Sequence, residues 1–297
     1  MPSVHYRREF GRLHRARELL MGGAQRIRPP NFQCDRPMAA IIGDQISDSV
    51  RARGLYERDY LELVRDVVLA GEECKQQIAI DVGANIGNHA LFFSDIFARV
   101  IAFEPNPLAR ELLRLNVSLN EVSNVEIRSE GLSDHSTTAS LTFQPSNLGA
   151  ARLSEDLIDG SGPRRQVPIE LATGDEMVDH SEPVGFIKID VEGVEEAVLR
   201  GLRRTIQTHM PVIMLEQLSD VINAEAGDSP AAHFLRNLGY EAWEIRTTRA
   251  FKGNTGKLLS AILGRADYVL DPVHRMRKRD YPALIFTPPS YVFPQRS

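Results

Sequence analysis

Cysteine is nearly missing from this chain: of 297 residues only Cys34 and Cys74 carry a thiol. Two thiols outside any C-x-x-C spacing make neither a disulfide framework nor a thiolate metal site, so a reducing, cytoplasmic setting is expected. Long apolar runs are also absent. None approaches the roughly 18–20 residues that span a bilayer, so no transmembrane segment is expected. The first residues lack the apolar core of a secretory signal. Excess positive charge is missing as well: 35 Lys and Arg against 40 Asp and Glu leave a net charge of −5. No overall basic field exists to draw in nucleic acid, and no nucleic-acid partner is expected. Neither H-E-x-x-H nor a nucleophile elbow occurs, which removes zinc-hydrolase and serine-hydrolase readings.

What remains is the composition of a globular protein, 42% hydrophobic and 25% charged, long enough to bury a sizeable core. Residues 1–53 differ from the rest. "YRREFGRLHRARELL" is arginine-rich and reads as a basic N-terminal extension, partly helical, although a solvated tail is the commoner use of such a stretch. From residue 54 to 297 the pattern is regular. Short β-rich runs, "QIAIDV", "RVIAFE" and "NVEIRSE", alternate with helical runs such as "PLARELLRLNVSLN", in which Leu108, Leu112, Leu115 and Leu119 share one stripe. Such alternation predicts an α/β, doubly wound domain with a parallel sheet and helices on both faces. Asn106 followed by Pro107 marks a helix start. Residues 136–172 and 247–280 break the rhythm and read as insertions on the substrate side.

The most informative stretch is "IAIDVGANIG". A strand ends at Asp81, and Gly83 and Gly87 follow in the turn before a helix. Ligands of open parallel sheets bind at such turns, where glycines let the backbone approach them. A P-loop would need Gly-Lys-Ser/Thr, but Gly87 precedes Asn88 and His89, so nucleoside triphosphate chemistry is excluded. A dinucleotide fingerprint needs G-x-G-x-x-G, and here the pattern is D-x-G-x-x-x-G. Asp81 would repel a pyrophosphate but suit a cationic ligand. S-adenosylmethionine, with its ammonium and sulfonium, fits. Glu104, ending the next strand about 20 residues beyond the glycines, is placed to grip a ribose diol. Asn85 and Asn88, in and after the turn, complete that part of the set. The alternative is an NAD-dependent oxidoreductase on a Rossmann-like sheet, which the diol contact alone does not separate.

Together "IDVGANIGNHALFF", "VIAFEPNP" and "FIKIDVEGVEEAVLRGL" resemble the FkbM-type methyltransferase family. "GLYERDYLELV" and "NLGYEAWEI" resemble it too, so the resemblance runs from about Gly54 to about Pro288. It implies the class I methyltransferase fold, a seven-stranded, mostly parallel sheet with an antiparallel last strand. It implies S-adenosyl-L-methionine as donor and O-methylation of a small-molecule acceptor, a sugar or natural product. A methyltransferase acting on an amine or a macromolecule is the alternative within the class.

An alcohol acceptor needs help losing its proton. In "FIKIDVEG", Ile187 and Ile189 share one face of a strand, while Lys188 and Asp190 share the other. A lysine inside a strand is costly unless paired, so Lys188 is expected to meet Asp190 or Glu216. Asp190 is the first candidate for base or acceptor-orienting group and Glu192 the second. Alternatively Asp190 orients the donor's amino group and Glu192 caps the next helix. Asp190 and Glu216 could together hold Mg2+, which is not the favoured reading, and no residue is assigned to a metal. For the adenine ring, the turn "SEGLSD" supplies Glu130, Gly131 and Leu132. His89 is expected to pack rather than touch the donor. The sequence assigns no oligomeric state.

Overall fold

The computed structural model describes residues 4–9, 36–41, 55–144, 147–152, 164–249 and 265–293. After strand β1 (Val4–Glu9) and helix α1 (Arg58–Leu63), the chain alternates: β2 (Ile78–Val82), α2 (Asn88–Phe93), β3 (Arg99–Phe103), α3 (Pro107–Leu119) and β4 (Val125–Arg128). It then forms β5 (Gly131–Ser133), β6 (Thr137–Gln144), β7 (Asn147–Arg152) and β8 (Arg165–Thr173). The short α4 (Gly174–Met177) leads to β9 (Val184–Ile189), α5 (Glu195–Gly201), α6 (Arg203–His209) and β10 (Val212–Gln217). Helix α7 (Pro230–Asn237) precedes β11 (Glu241–Arg249), β12 (Arg265–Pro272) and β13 (Tyr281–Thr287).

Among the described residues the main sheet has nine strands, in the order β1-β12-β11-β13-β10-β9-β2-β3-β4. From β4 to β10 every neighbouring pair is parallel, and β13, the last strand, runs antiparallel to both β10 and β11. These seven strands are the expected ones, with the expected polarity. The two additional strands lie beyond β11. There β12 pairs with β11 over Trp243–Arg249 and β1 pairs with β12 from Val4↔Leu270 to Glu9↔Arg265. An open edge leaves unpaired backbone groups, and each added strand satisfies a row of them. Val4–Glu9 is strand, where the arginine-rich pattern beginning at Tyr6 predicts a helix; the rest of that pattern lies outside the described residues.

The strands bury both faces, as parallel strands covered by helices do. On one face Ile80, Val82, Ile187, Ile189 and Leu215 pack with Val198 and Leu202, at the α5–α6 junction, and with Leu235 of α7. On the other, Ala79, Phe186, Met214 and Ile285 pack with Leu61, Phe93 and Leu113 from α1 to α3. Asn106 caps α3 by accepting from Leu108 N (3.1 Å), with Pro107 as its first residue. The leucine stripe misplaces that helix's buried face. Leu115 and Leu119 are about half exposed, and the fully buried positions are Ala109, Leu113 and Asn116. The helix is turned by one residue because it packs on the loop after β2 as well as on the sheet.

A second sheet, β5-β8-β6-β7, follows β4. Most of it comes from the block 136–172 that breaks the sequence rhythm. It also contains Gly131–Ser133, where the sequence suggests a turn. Chain order carries β2, β3 and β4 outward and then returns to β9 beside β2. The order reverses between β2 and β9, and the crevice outside their carboxyl ends is where this class of sheet binds ligands.

Candidate active site at the carboxyl ends of the strands

Asp81 and Lys188 are direct partners across β2 and β9, on the face that carries α1 to α3. Both are buried, and Lys188 Nζ lies 3.5 Å from Asp81 Oδ1 and 3.2 Å from Asp190 Oδ2. It also donates to the Gly83 carbonyl at 3.4 Å. The lysine meets Asp190 as expected; its second partner is Asp81 rather than Glu216. Burial opposes its charge, but Asp190 and Asp81 outweigh it and raise its pKa. Glu216 stands beside Asp190 at the end of β10 and shares a hydrogen bond with it. Burial, then the Asp190 charge, raise Glu216, so that it keeps its proton and donates. Burial resists the charge on Asp190, yet Lys188 and the Glu216 hydrogen bond hold that carboxylate below its ordinary range.

The turn after β2 is shaped by contacts on its protein side. Gly83 (φ +78°) could not accept a Cβ, which would fall 1.9 Å from the Asp190 carbonyl oxygen. At Gly87 (φ +92°) a Cβ would meet Leu113 at 2.4 Å. The glycines thus fit β2 against β9 and α3, where the sequence reading had them making room for a ligand. Between them Asn85 (φ +50°) is left-handed without being glycine, a strain that persists only where surroundings impose it. Its N–H donates to Glu104 Oε2 at 2.7 Å, and Asn106 N–H donates to Oε1 at 2.8 Å. Two backbone amides therefore aim the Glu104 carboxylate. Burial pushes it up to about 7 against the pull of those amides.

The Asn88 side chain is taken up by the protein: its Oδ1 accepts from Tyr56 N (3.0 Å) and its Nδ2 donates to Tyr56 O (3.1 Å), latching the chain before α1. His89 packs on Phe93 and Tyr56, with Nε2 3.2 Å from Glu57 Oε2. The Leu132 side chain is buried in the core with Val198 and Leu202. Gly131 is buried in β5, where a Cβ would meet Leu171 at 2.7 Å. Glu130 lies two residues past the end of β4.

Glu192 is left-handed (φ +55°) just beyond β9 and lies 3.8 Å from Arg152 Nη2 of β7. Burial, then the Asp190 charge, push it up to about 7. It does not cap the next helix; Glu195 Oε1 accepts from Gly193 N at 2.8 Å. Tyr56, Glu57 and Arg152 were not singled out from sequence. Tyr56 and Glu57 lie within "GLYE", but spacing gives no sign that they reach α2. Nothing in sequence brings Arg152 to Glu192.

The residues fit S-adenosylmethionine in kind. Both oxygens of Asp81, Asn85 Oδ1 and Glu130 Oε2 are buried and accept no hydrogen bond, although Asp81 has Lys188 as its ion partner. Buried acceptors of this sort call for donors, and ammonium, ribose hydroxyls and adenine amine are donors.

This strand order, with its antiparallel last strand and acidic residues ending β2 and β3, defines a class I methyltransferase. The chain belongs to the methyltransferase FkbM domain family, whose model matches residues 81–242. It is similar to the hexuronic acid methyltransferase AglP of Haloferax volcanii, with 32% identity over 154 residues, 51% of this chain and 59% of that protein. It is similar also to methyltransferase sdnD of Sordaria araneosa, with 29% identity over 153 residues, 41% of this chain and 59% of that one. The chain thus spans less than two thirds of either relative. Among solved structures, methyltransferase FkbM of Methylobacillus flagellatus covers 66% of this chain and 44% of its own, at 18% identity and TM-score 0.37. No helix among the described residues is long and apolar enough to cross a membrane.

Proposed function

We propose that the chain transfers a methyl group from S-adenosylmethionine to a hydroxyl of a small acceptor, a sugar or natural product. The observation that carries the donor is Glu104, fixed by two backbone amides at the end of β3 beside the unsatisfied acceptors of Asp81, Asn85 and Glu130. Bound there, S-adenosylmethionine would supply an electrophilic methyl group on a sulfonium. The chain supplies the rest. Glu104 takes the ribose hydroxyls, Asp81 and Asn85 the cationic amino-acid end, and Glu130 the adenine edge. Asp190, kept ionised by Lys188 and Glu216, orients the acceptor hydroxyl. Glu192, poised near neutrality, takes its proton, as a general base matched to the working pH should. The relative that acts on a hexuronic acid supports a sugar acceptor.

The test is incubation with S-adenosylmethionine and a panel of glycosides, read by mass spectrometry. Gain of one CH2 on a hydroxyl oxygen is the expected result. Tight NAD binding with no response to S-adenosylmethionine, or methylation confined to amines or macromolecules, overturns it.

A further inference from the structure

Asn116 sits in the last turn of α3, fully buried, where an amide side chain is a weak helix former. Its amide is used on both sides. Nδ2 donates to the Ile86 carbonyl at 2.8 Å and to the Ala39 carbonyl at 3.0 Å, while Oδ1 accepts from Ala39 N at 2.6 Å. Ile86 is the residue between Asn85, whose N–H aims Glu104, and Gly87. Ala39 belongs to residues 36–41, far earlier in the chain. One side chain therefore ties the donor turn to an N-terminal segment.

That segment is anchored by polar contacts at its start and by packing along the rest. Arg36 Nη1 donates to the Leu91 carbonyl at 2.8 Å and its Nη2 pairs with Asp95, so α2 and the turn after it hold one end. Asn120 Nδ2 donates to the Pro37 carbonyl at 2.9 Å. Met38, Ala40 and Ile41 pack on a cluster containing Ile86, Ala109, Phe143 and Ile169. The Ile86 side chain, 1% exposed, is thus clasped between this segment, α3 and the second sheet, and its carbonyl is held by Asn116.

We propose that residues 36–41 are a strap that fixes the donor turn from behind, with Asn116 as the positioning residue between them. This rests on the donor reading above. Ile86 cannot shift without disturbing Asn85, and Asn85 N–H is half of what orients Glu104. Donor affinity therefore depends on a segment outside the matched family region. Coupling of this kind is reciprocal: if the strap stabilises the turn, a ligand on the turn stabilises the strap.

The test uses the full chain and S-adenosylhomocysteine as probe. Hydrogen exchange of the peptide containing Ala39 is expected to slow about tenfold on saturation with the probe, within the usual range of such couplings. Arg36→Gln, at the far end of the strap from the turn, is expected to weaken the probe about fivefold with the melting temperature of the main domain unchanged. Asn116→Ala is expected to abolish the effect of probe on Ala39 exchange. A purely structural strap would leave Ala39 exchange indifferent to the probe. That result, or wild-type affinity in Arg36→Gln, overturns the proposal. A wild-type chain that takes up no probe at all instead removes the donor reading, and the strap's role with it.

Discussion

Lys188 stands directly across from Asp81 in the parallel ladder, its ammonium 3.5 Å from Oδ1. Asp190, two residues along and just past the end of that strand, holds the same ammonium at 3.2 Å. One cation thus serves two carboxylates at the centre of the sheet's carboxyl edge. Lys188→Met would leave both without a counter-charge. Removing one partner of a buried ionic set costs about 3–5 kcal/mol, and chemical denaturation at neutral pH should show a loss of that size. Adding Asp81→Asn should recover part of it. No recovery in the double variant would mean that the lysine acts mainly by packing.

Glu104 should make donor binding pH-dependent. Its carboxyl is pushed up to about 7 by burial, while ribose hydroxyls are best accepted by the ionised form. Affinity for S-adenosylhomocysteine is expected to rise between pH 6 and 8, roughly tenfold if one proton must leave. Glu104→Gln should be weaker and flat with pH, because its NH2 would abut one of the two amides. The free protein should show the opposite trend. A folded-state value above the unfolded one gives stability that is complete below about 4.3 and lost as pH rises through about 7. Calorimetric titration and thermal melting across pH check the two signs together.

Glu192 should set the acid limb of the pH–rate profile, near its value of about 7. Glu192→Gln is expected to lower kcat by roughly 10²–10⁴ with donor affinity intact. Arg152 pulls that carboxyl down, so Arg152→Gln should move the limb to higher pH. An unmoved limb would show that another group takes the proton.

Two glycines separate fit from conformation. Gly83→Ala would drive a Cβ to 1.9 Å from the Asp190 carbonyl, whereas at Gly193 (φ +106°) a Cβ meets nothing within 4 Å. Gly193→Ala should cost backbone strain alone, on the order of 1–3 kcal/mol. Gly83→Ala should exceed it by another ~1–3 kcal/mol from overpacking. Urea denaturation of the two variants measures the difference.

The fold was readable to a large degree. The β-rich runs "IAIDV" and "FIKID" were read as strands, and the two faces read in "FIKID" are the two sides observed. Asn106–Pro107 marked the start of α3 correctly, because capping is a contact within three residues. The ends of the strands, such as the position of Glu104, were readable from sequence; what packs behind the turn was not. Asn88 and Leu132 look like ligand residues by position; one is spent on Tyr56 and the other on the core. The leucine stripe of α3 failed for the same reason, since a helix turns its buried face toward whatever it touches.

By itself the sequence determined the parallel sheet, the turn after Asp81 and the carboxylates that end the strands, because all of these follow from local periodicity and short-range backbone geometry. Only the tertiary structure decided that Lys188 joins Asp81 to Asp190, that Glu57 reaches His89, that Arg152 approaches Glu192 and that Ala39 meets Asn116. Those contacts join residues from separate elements, some more than 70 positions apart. Their charge and hydrogen-bond energies fall off within a few ångströms, so chain separation carries no trace of them until the sheet has closed the distance.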